Sequence, residues 1–346
     1  MEEHVYPCTW VLAFTMRNPF LLALLALIIM LILSMAIGSV FIPPIEIGRV
    51  LTGRVSNETF RTILLSIRLP RTLLIALVGA ALAGSGATYQ GLFRNPLADP
   101  YLIGVAAGAG LGAIVAMSLN WPYTMFGLLA VPFAAFIASL ITVYLVYAFA
   151  QIGRIVPTTN LILAGVAVSS FATSITTFLM LRSSGEVRRA ISWLLGGVSL
   201  VGWDVTLALI PYLAIGMTIL VLTGYSLNLL QFGDDQAMQM GLNVRRAKFM
   251  IIVASSLVTA AAVSFAGIIG FVGLIVPHIV RIWWGVDYRR LIPLSILGGA
   301  SVLLLADVLS RIVLAPQELP VGIVTAIAGA PFFLWVLRRA KNQGIW

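Results

Sequence analysis

Few side chains in this sequence have the type and spacing to do chemistry. Asp307 lies inside an apolar run four residues before Arg311, so the two share a helix face and can pair. An ionisable residue in such a run is a functional candidate by default. Unpaired it could relay protons; paired with Arg311 it would fix the end of the helix. His278 follows Pro277 and precedes Arg281, and the only other histidine is His4, so no zinc or haem site can be built from histidines. The lone Cys8 excludes an intrachain disulfide. A Walker A phosphate loop needs a Gly-Lys step, but Ala247 precedes Lys248 and Ala340 precedes Lys341. No nucleophile stands beside a base and no carboxylates are paired over a pocket. The sequence therefore reads as a non-enzyme without metal centre or cofactor.

Lys248 and Lys341 are the only lysines; every other basic residue is arginine. The guanidinium fork matches carboxylates, although a biased genome would give the same preference. Arg68 and Arg71 flank Pro70, and Arg182, Arg188 and Arg189 surround Ser183, Ser184 and Gly185. No basic stretch is interleaved with aromatics, so nucleic acid is not an expected partner.

The elements that must position these residues are membrane spans. The 346 residues are 60% hydrophobic and 10% charged, far from the roughly 25% charged of a soluble domain. One polytopic domain over residues 1–346 follows, an all-α membrane protein in the cell membrane. Apolar runs at about 19–39, 70–92, 100–119, 124–150, 158–181, 205–227, 248–267, 269–284, 291–313 and 320–337 predict about ten transmembrane helices. The longer runs approach the ~20 residues that cross ~30 Å of hydrocarbon. Glu2 and Glu3 precede the first run, where a signal peptide wants positive charge, so an uncleaved span is expected. An even number of spans puts both termini on one side, and the arginine and lysine bias makes that side cytoplasmic. Arg49, Arg54, Arg61, Arg68, Arg71, Arg182, Arg188, Arg189 and Arg311 then face outward, where an acidic partner would account for them.

Small residues mark the bundle interior. Gly79, Ala80, Ala83, Gly84, Gly86 and Ala87 crowd the second span, and Gly104, Gly108 and Gly112 are spaced by four in the third. Such spacing lets helix backbones approach closely in lipid. Two outer segments are expected, at about 40–69 and 182–204. In the first, Pro43 and Pro44 stop the opening span, and Ile45 to Leu65 alternate as a short helix on the outer surface. In the second, Ala190 to Leu195 form a surface helix, and Trp193 and Trp203 suit an interfacial belt. The inner connection, about 228–248, holds Gly233, then Asp234 and Asp235 placed to cap a helix through Gln236 to Met240, which Gly241 ends. It is either a solvated loop helix or a docking helix; Met238 and Met240, as adaptable contact residues, favour docking.

Five stretches carry a family resemblance: RLPR (68–71), GATYQGLFRNPLADP (86–100), GLIVPHIVR (273–281), ADVLSR (306–311) and ELPVGIVTAIAGAPFF (318–333). Together they resemble the FecCD-like permeases, the transmembrane subunits of importers for iron chelates and cobalamin. The resemblance implies ten spans in a dimeric permease of the cobalamin-importer type, with a second permease subunit, two cytoplasmic ATP-binding-cassette ATPases and an external solute-binding protein as partners. It implies that Arg68, Arg71 and Arg311 dock glutamates of the binding protein. It makes Gly233, Asp234, Asp235, Gln236, Met238 and Gly241 the coupling segment. It lines a path at the dimer axis with the fifth and tenth spans, which here carry Ser169, Ser170, Thr173, Ser174, Thr176 and Thr177, and Thr325, Gly329 and Pro331. The implied cargo is an iron-siderophore first, then cobalamin, haem, and molybdate or tungstate. An ion-coupled secondary transporter is the alternative from another class, with Asp307 as its ionisable residue.

Overall fold

The computed structural model describes residues 18–342 except 39, 55–57, 120–124, 154–155, 183–186 and 199–201. Glu2, Glu3, His4, Cys8, Arg17, Arg154 and residues 183–185 lie outside the described residues. The chain is helical. Helix α1 (Pro19–Ala36) begins with proline at its first position, and α2 (Pro44–Leu51) likewise. Helix α3 (Glu58–Thr62) runs through a π-helical segment (Ile63–Arg68) straight into α4 (Leu69–Leu92). The single surface helix expected over Ile45 to Leu65 is thus two elements, and the second is continuous with the span. Pro70 explains the wider turn between them. It has no N–H, and the Leu65 carbonyl five residues back takes the Trp203 indole N–H instead, at 2.8 Å.

The rest are α5 (Val105–Ser118), α6 (Met125–Ala150), α7 (Thr158–Arg182), α8 (Val187–Leu194), α9 (Trp203–Leu222), α10 (Gly224–Leu230), α11 (Asp234–Gln239), α12 (Val244–Ala266), α13 (Val272–Trp284), α14 (Tyr288–Ile312) and α15 (Val321–Asn342). Seven helices among the described residues are long and apolar enough to cross a membrane. Three shorter apolar ones, α5, α13 and the apolar part of α15, accompany them.

Helices α4, α12 and α14 form the buried centre, and α1 and α7 keep most of their surface outward. The small residues explain the closeness of α4 and α14. A Cβ at Gly79 would strike the Gly299 carbonyl, and one at Gly86 would strike the carbonyl of Gly273 on α13. Gly108 and Gly112 give α6 the same approach to α5, at Thr142 and Ala134. Gly104 does otherwise than its spacing predicts: it precedes α5 as a left-handed cap at φ 84°.

With 14 and 13 residues, α5 and α13 are about 20 Å long, short of the ~30 Å hydrocarbon layer. Irregular chain leads into each, and lipid tolerates irregular chain only where protein covers it. Residues 99–104 lead into α5 and residues 267–271 into α13, and they cover one another. The Tyr101 hydroxyl donates to the Ile269 carbonyl at 2.8 Å and accepts from the Ile269 N–H at 3.2 Å. The end of α8 closes over the second segment, for a Cβ at Gly267 would strike the Trp193 carbonyl. Trp193 is therefore buried, 5% exposed, and not part of an interfacial belt; Trp203, at 38%, stays partly out.

Candidate functional site

Three sets of candidate residues occupy three parts of the molecule. The first is an ionic cluster where α1 ends, α4 begins and α14 ends. Helix α1 leaves its last carbonyls without intrahelical partners, and two arginines from other elements take them. Arg68 Nη1 donates to Met35 O at 2.6 Å and Ala36 O at 3.0 Å, and its Nη2 donates to Val40 O. Arg311 Nη1 donates to Ile37 O at 2.9 Å, and its Nη2 to Ser34 O at 3.2 Å and Ser34 Oγ at 3.1 Å. A positive charge at a helix C-terminus is also favoured by the helix dipole.

Asp307, fully buried, sits between the arginines. Its Oδ1 accepts from Arg71 Nε at 3.1 Å and Nη2 at 3.0 Å, while Arg311 Nη2 lies 3.0 Å from Oδ2 without hydrogen-bond alignment. Arg71 Nη1 extends to Glu318 Oε2 at 2.7 Å. The spacing of four between Asp307 and Arg311 thus does make a pair. Arg71 joins it from 236 positions away, which no local pattern reveals. Glu318 is a further member that the sequence reading left aside; it sits in the stretch 318–333, whose role went to the hydroxyl and small residues. Arg68 and Arg311 are buried, with 6% and 8% of their surface exposed. Two of the three arginines expected to dock a partner, Arg68 and Arg311, are therefore internal, and the accessible edge of the cluster is the Arg71–Glu318 pair.

The second set is the short helix α11. Gly233 at φ 104° is its N-cap, with no side-chain cap. Asp234 and Asp235 stand in the first turn rather than in the capping position. Asp234 Oδ2 binds Lys248 Nζ at 2.5 Å, which ties α11 to α12. Ala237 is the buried anchor, Met238 and Met240 are each 54% exposed, and Gly241 at φ 87° ends the turn. Gln231, just upstream, donates to Gly91 O at 3.0 Å, so α11 and the ionic cluster sit at opposite ends of α4.

The third set divides between α7 and α15. Ser170, Thr173, Ser174 and Thr177 are exposed on one side of α7; Ser169 is half-buried and Thr176 buried. Ser170 and Thr177 donate to the carbonyls four residues back, at 2.8 and 2.9 Å. Such bonds satisfy the hydroxyl protons and leave acceptor lone pairs outward. On α15, Thr325 is buried and donates to Gly322 O at 3.1 Å, Gly329 is closed off by the Phe271 ring, and Pro331 is exposed. Helix α7 packs on α5 and α6, and α15 on α13 and α14. The two expected path helices thus occupy separate parts of the bundle.

Among the described residues no group of three or more histidine, cysteine or acidic side chains could hold a metal ion. His278 Nδ1 is buried with no hydrogen-bond partner.

Comparison with known proteins bears on this arrangement. Residues 26–339 match the model of the FecCD transport family. The cobalamin import permease BtuC of Halobacterium salinarum is 45% identical over 288 residues, 83% of this chain and 76% of that one. The hemin transport permease HmuU of Yersinia pestis is 39% identical over 328 residues, 92% and 96% of the two chains. A solved structure described as an inward-facing metal-chelate type ABC transporter superposes with a TM-score of 0.83 at 28% identity, covering 93% of this chain and 99% of that one.

Proposed function

The chain belongs to the FecCD transport family, and from that premise we propose that it is the membrane-spanning permease of an ATP-driven importer for a metal chelate. The carrying observation is α11: a short helix held to the bundle by Asp234–Lys248 and Ala237, with its two methionines exposed. A cytoplasmic ATPase would grip this knob, and its motion would be transmitted through α12 and α4. In this reading the ten-span count and the cytoplasmic termini hold, and the ionic cluster lies on the outer face.

A solute-binding protein would dock there. Arg68 and Arg311 hold the end of α1 and shape the surface. Arg71 is the arginine able to trade Glu318 for a partner's carboxylate. A second copy of the chain would cover the hydroxyl stripe on α7, since exposed Ser170, Thr173 and Thr177 are poor company for lipid. The path would run between the copies, along hydroxyls too weakly interacting to trap a large polar chelate, with Pro331 on the other wall.

The relatives named for cobalamin and haem support a macrocyclic chelate at least as strongly as an iron-siderophore. The secondary-transporter reading loses its residue, because Asp307 is held by Arg71 and Arg311. Reconstitution with the cognate ATPase and binding protein tests the proposal. Uptake should need ATP inside and binding protein outside; uptake driven by a proton gradient alone would refute it.

A further inference from the structure

Two family-like stretches, 86–100 and 273–281, contain none of the residues assigned above to docking, coupling or the path. Both reach one pocket at the α11 end of the bundle, about 550 Å³ in volume, and most of the residues that line it are polar or charged. Gln90 and Arg94 enter it from the end of α4, Arg281 from α13, Asn228 and Gln231 from α10 and the residue after it, and Asp287 from the cap of α14.

The pocket holds two unsatisfied groups. Gln90 is 1% exposed; its Nε2 donates to Leu274 O at 3.2 Å, and its Oε1 is buried with no partner. Arg281 lies beside the Tyr288 phenol, and its Nη1 is likewise buried and unpartnered. Buried polar groups left this way have bonding capacity to offer whatever fills the space beside them. Asp287 cannot serve, since its carboxylate is taken by Asn228 at 2.6 Å and Arg289 at 3.1 Å. Arg94, exposed and without an ion pair among the described residues, leans over Gly233, where a Cβ would sit 3.7 Å from its Nη1. The pocket thus offers two guanidinium groups for a carboxylate and one buried acceptor for a neighbouring N–H.

We propose that this pocket receives an acidic side chain of the cytoplasmic ATPase that grips α11. The inference rests on the permease reading above. A protein side chain suits the site better than a free anion because of the rim. Gln231 and Phe232 border the mouth and lead directly into α11, and Phe232 is 61% exposed. Anything seated on α11 lies against that rim and covers the ring. An acidic side chain brings with it the backbone N–H groups that Gln90 Oε1 lacks.

The test uses the full permease in nanodiscs with its cognate ATPase subunits. Arg94→Gln and Arg281→Gln should each weaken ATPase binding about thirtyfold or more, the scale of losing one partner of a desolvated charge pair. The surface position of Arg94 should leave the melting curve of its variant unchanged. Arg94→Glu should be rescued by one Asp→Arg or Glu→Arg substitution on the ATPase. Wild-type dissociation constants in both Gln variants would overturn the proposal. So would a pocket that binds succinate or phosphate in the isolated permease while ATPase affinity ignores the substitutions. If wild-type permease binds no ATPase at all, the permease reading itself has failed.

Discussion

Asp307→Asn is the sharpest probe of the ionic cluster. The substitution keeps the shape of the side chain and removes its charge. Oδ1 accepts two bonds from Arg71, and Oδ2 lies 3.0 Å from Arg311. The amide can keep one acceptor oxygen for Arg71 but turns an N–H₂ toward a second guanidinium. Arg68, Arg71 and Arg311 are then left with only the half-exposed Glu318 to balance them. Removing one partner of a buried pair typically costs about 3–5 kcal/mol, because the surviving charge stays buried. The loss should fall in that range, measured by reversible denaturation in mixed micelles. Glu318→Gln is the control. Its side chain is 52% exposed, and such a contact is worth about 0–1 kcal/mol. The double variant Asp307→Asn/Arg71→Gln should lose less than the sum of its parts, since both ends of one interaction go together. If Asp307→Asn unfolds within about 1 kcal/mol of wild type, Asp307 is not what balances the arginines, and the account of the cluster is wrong.

Gly86→Ala should prevent α4 from seating on α13, because the new Cβ meets backbone rather than a movable side chain; loss of monodisperse protein in detergent would report it. Tyr101→Phe should strand both the N–H and the carbonyl of Ile269, at about 1–3 kcal/mol for each buried group, and raise amide exchange over residues 267–271. Asp287 sits outside the spans at the start of α14, and its hydrogen bonds from Arg289 and Asn228 hold its carboxyl down at about 2. Because that lies below the unfolded value near 3.9, its stabilising effect is complete above about pH 4 and fades as pH falls toward 2. Acid titration should show that loss in wild type and not in Asp287→Asn. Met238→Asp should weaken ATPase binding while leaving the permease melt unchanged, since Met238 is exposed and Ala237 carries the packing.

The sequence revealed most where the physics is local. Apolar length exposed the long helices, glycine spacing exposed the tight contacts at Gly79, Gly86, Gly108 and Gly112, and Gly233 with Gly241 bounded α11. The misreadings came from interactions between distant residues. Arginines in short polar stretches read as surface, but Arg68 and Arg311 complete the carbonyls of α1, a helix more than thirty positions away in each case. Trp193 read as interfacial because nothing nearby says that Gly267 needs a lid. The π segment was invisible because its cause is split between Pro70 and an indole at Trp203. Glu318 was hidden by its neighbours, which drew attention to hydroxyls and small residues instead.

The joint between Tyr101 and Ile269 also bears on how the protein is made. A translocating ribosome delivers residues 267–284 long after 99–118, and α13 alone is too short to shield its lead from lipid. The phenol that satisfies that lead was synthesised 168 residues earlier. On the ten-span reading proposed above, stable entry of α13 needs the earlier half of the chain to be in the bilayer already and to be holding Tyr101 where the new segment can reach it. Assembly has a direction built into it, and a truncated chain beginning after α5 should be retained by quality control rather than lodged in the membrane.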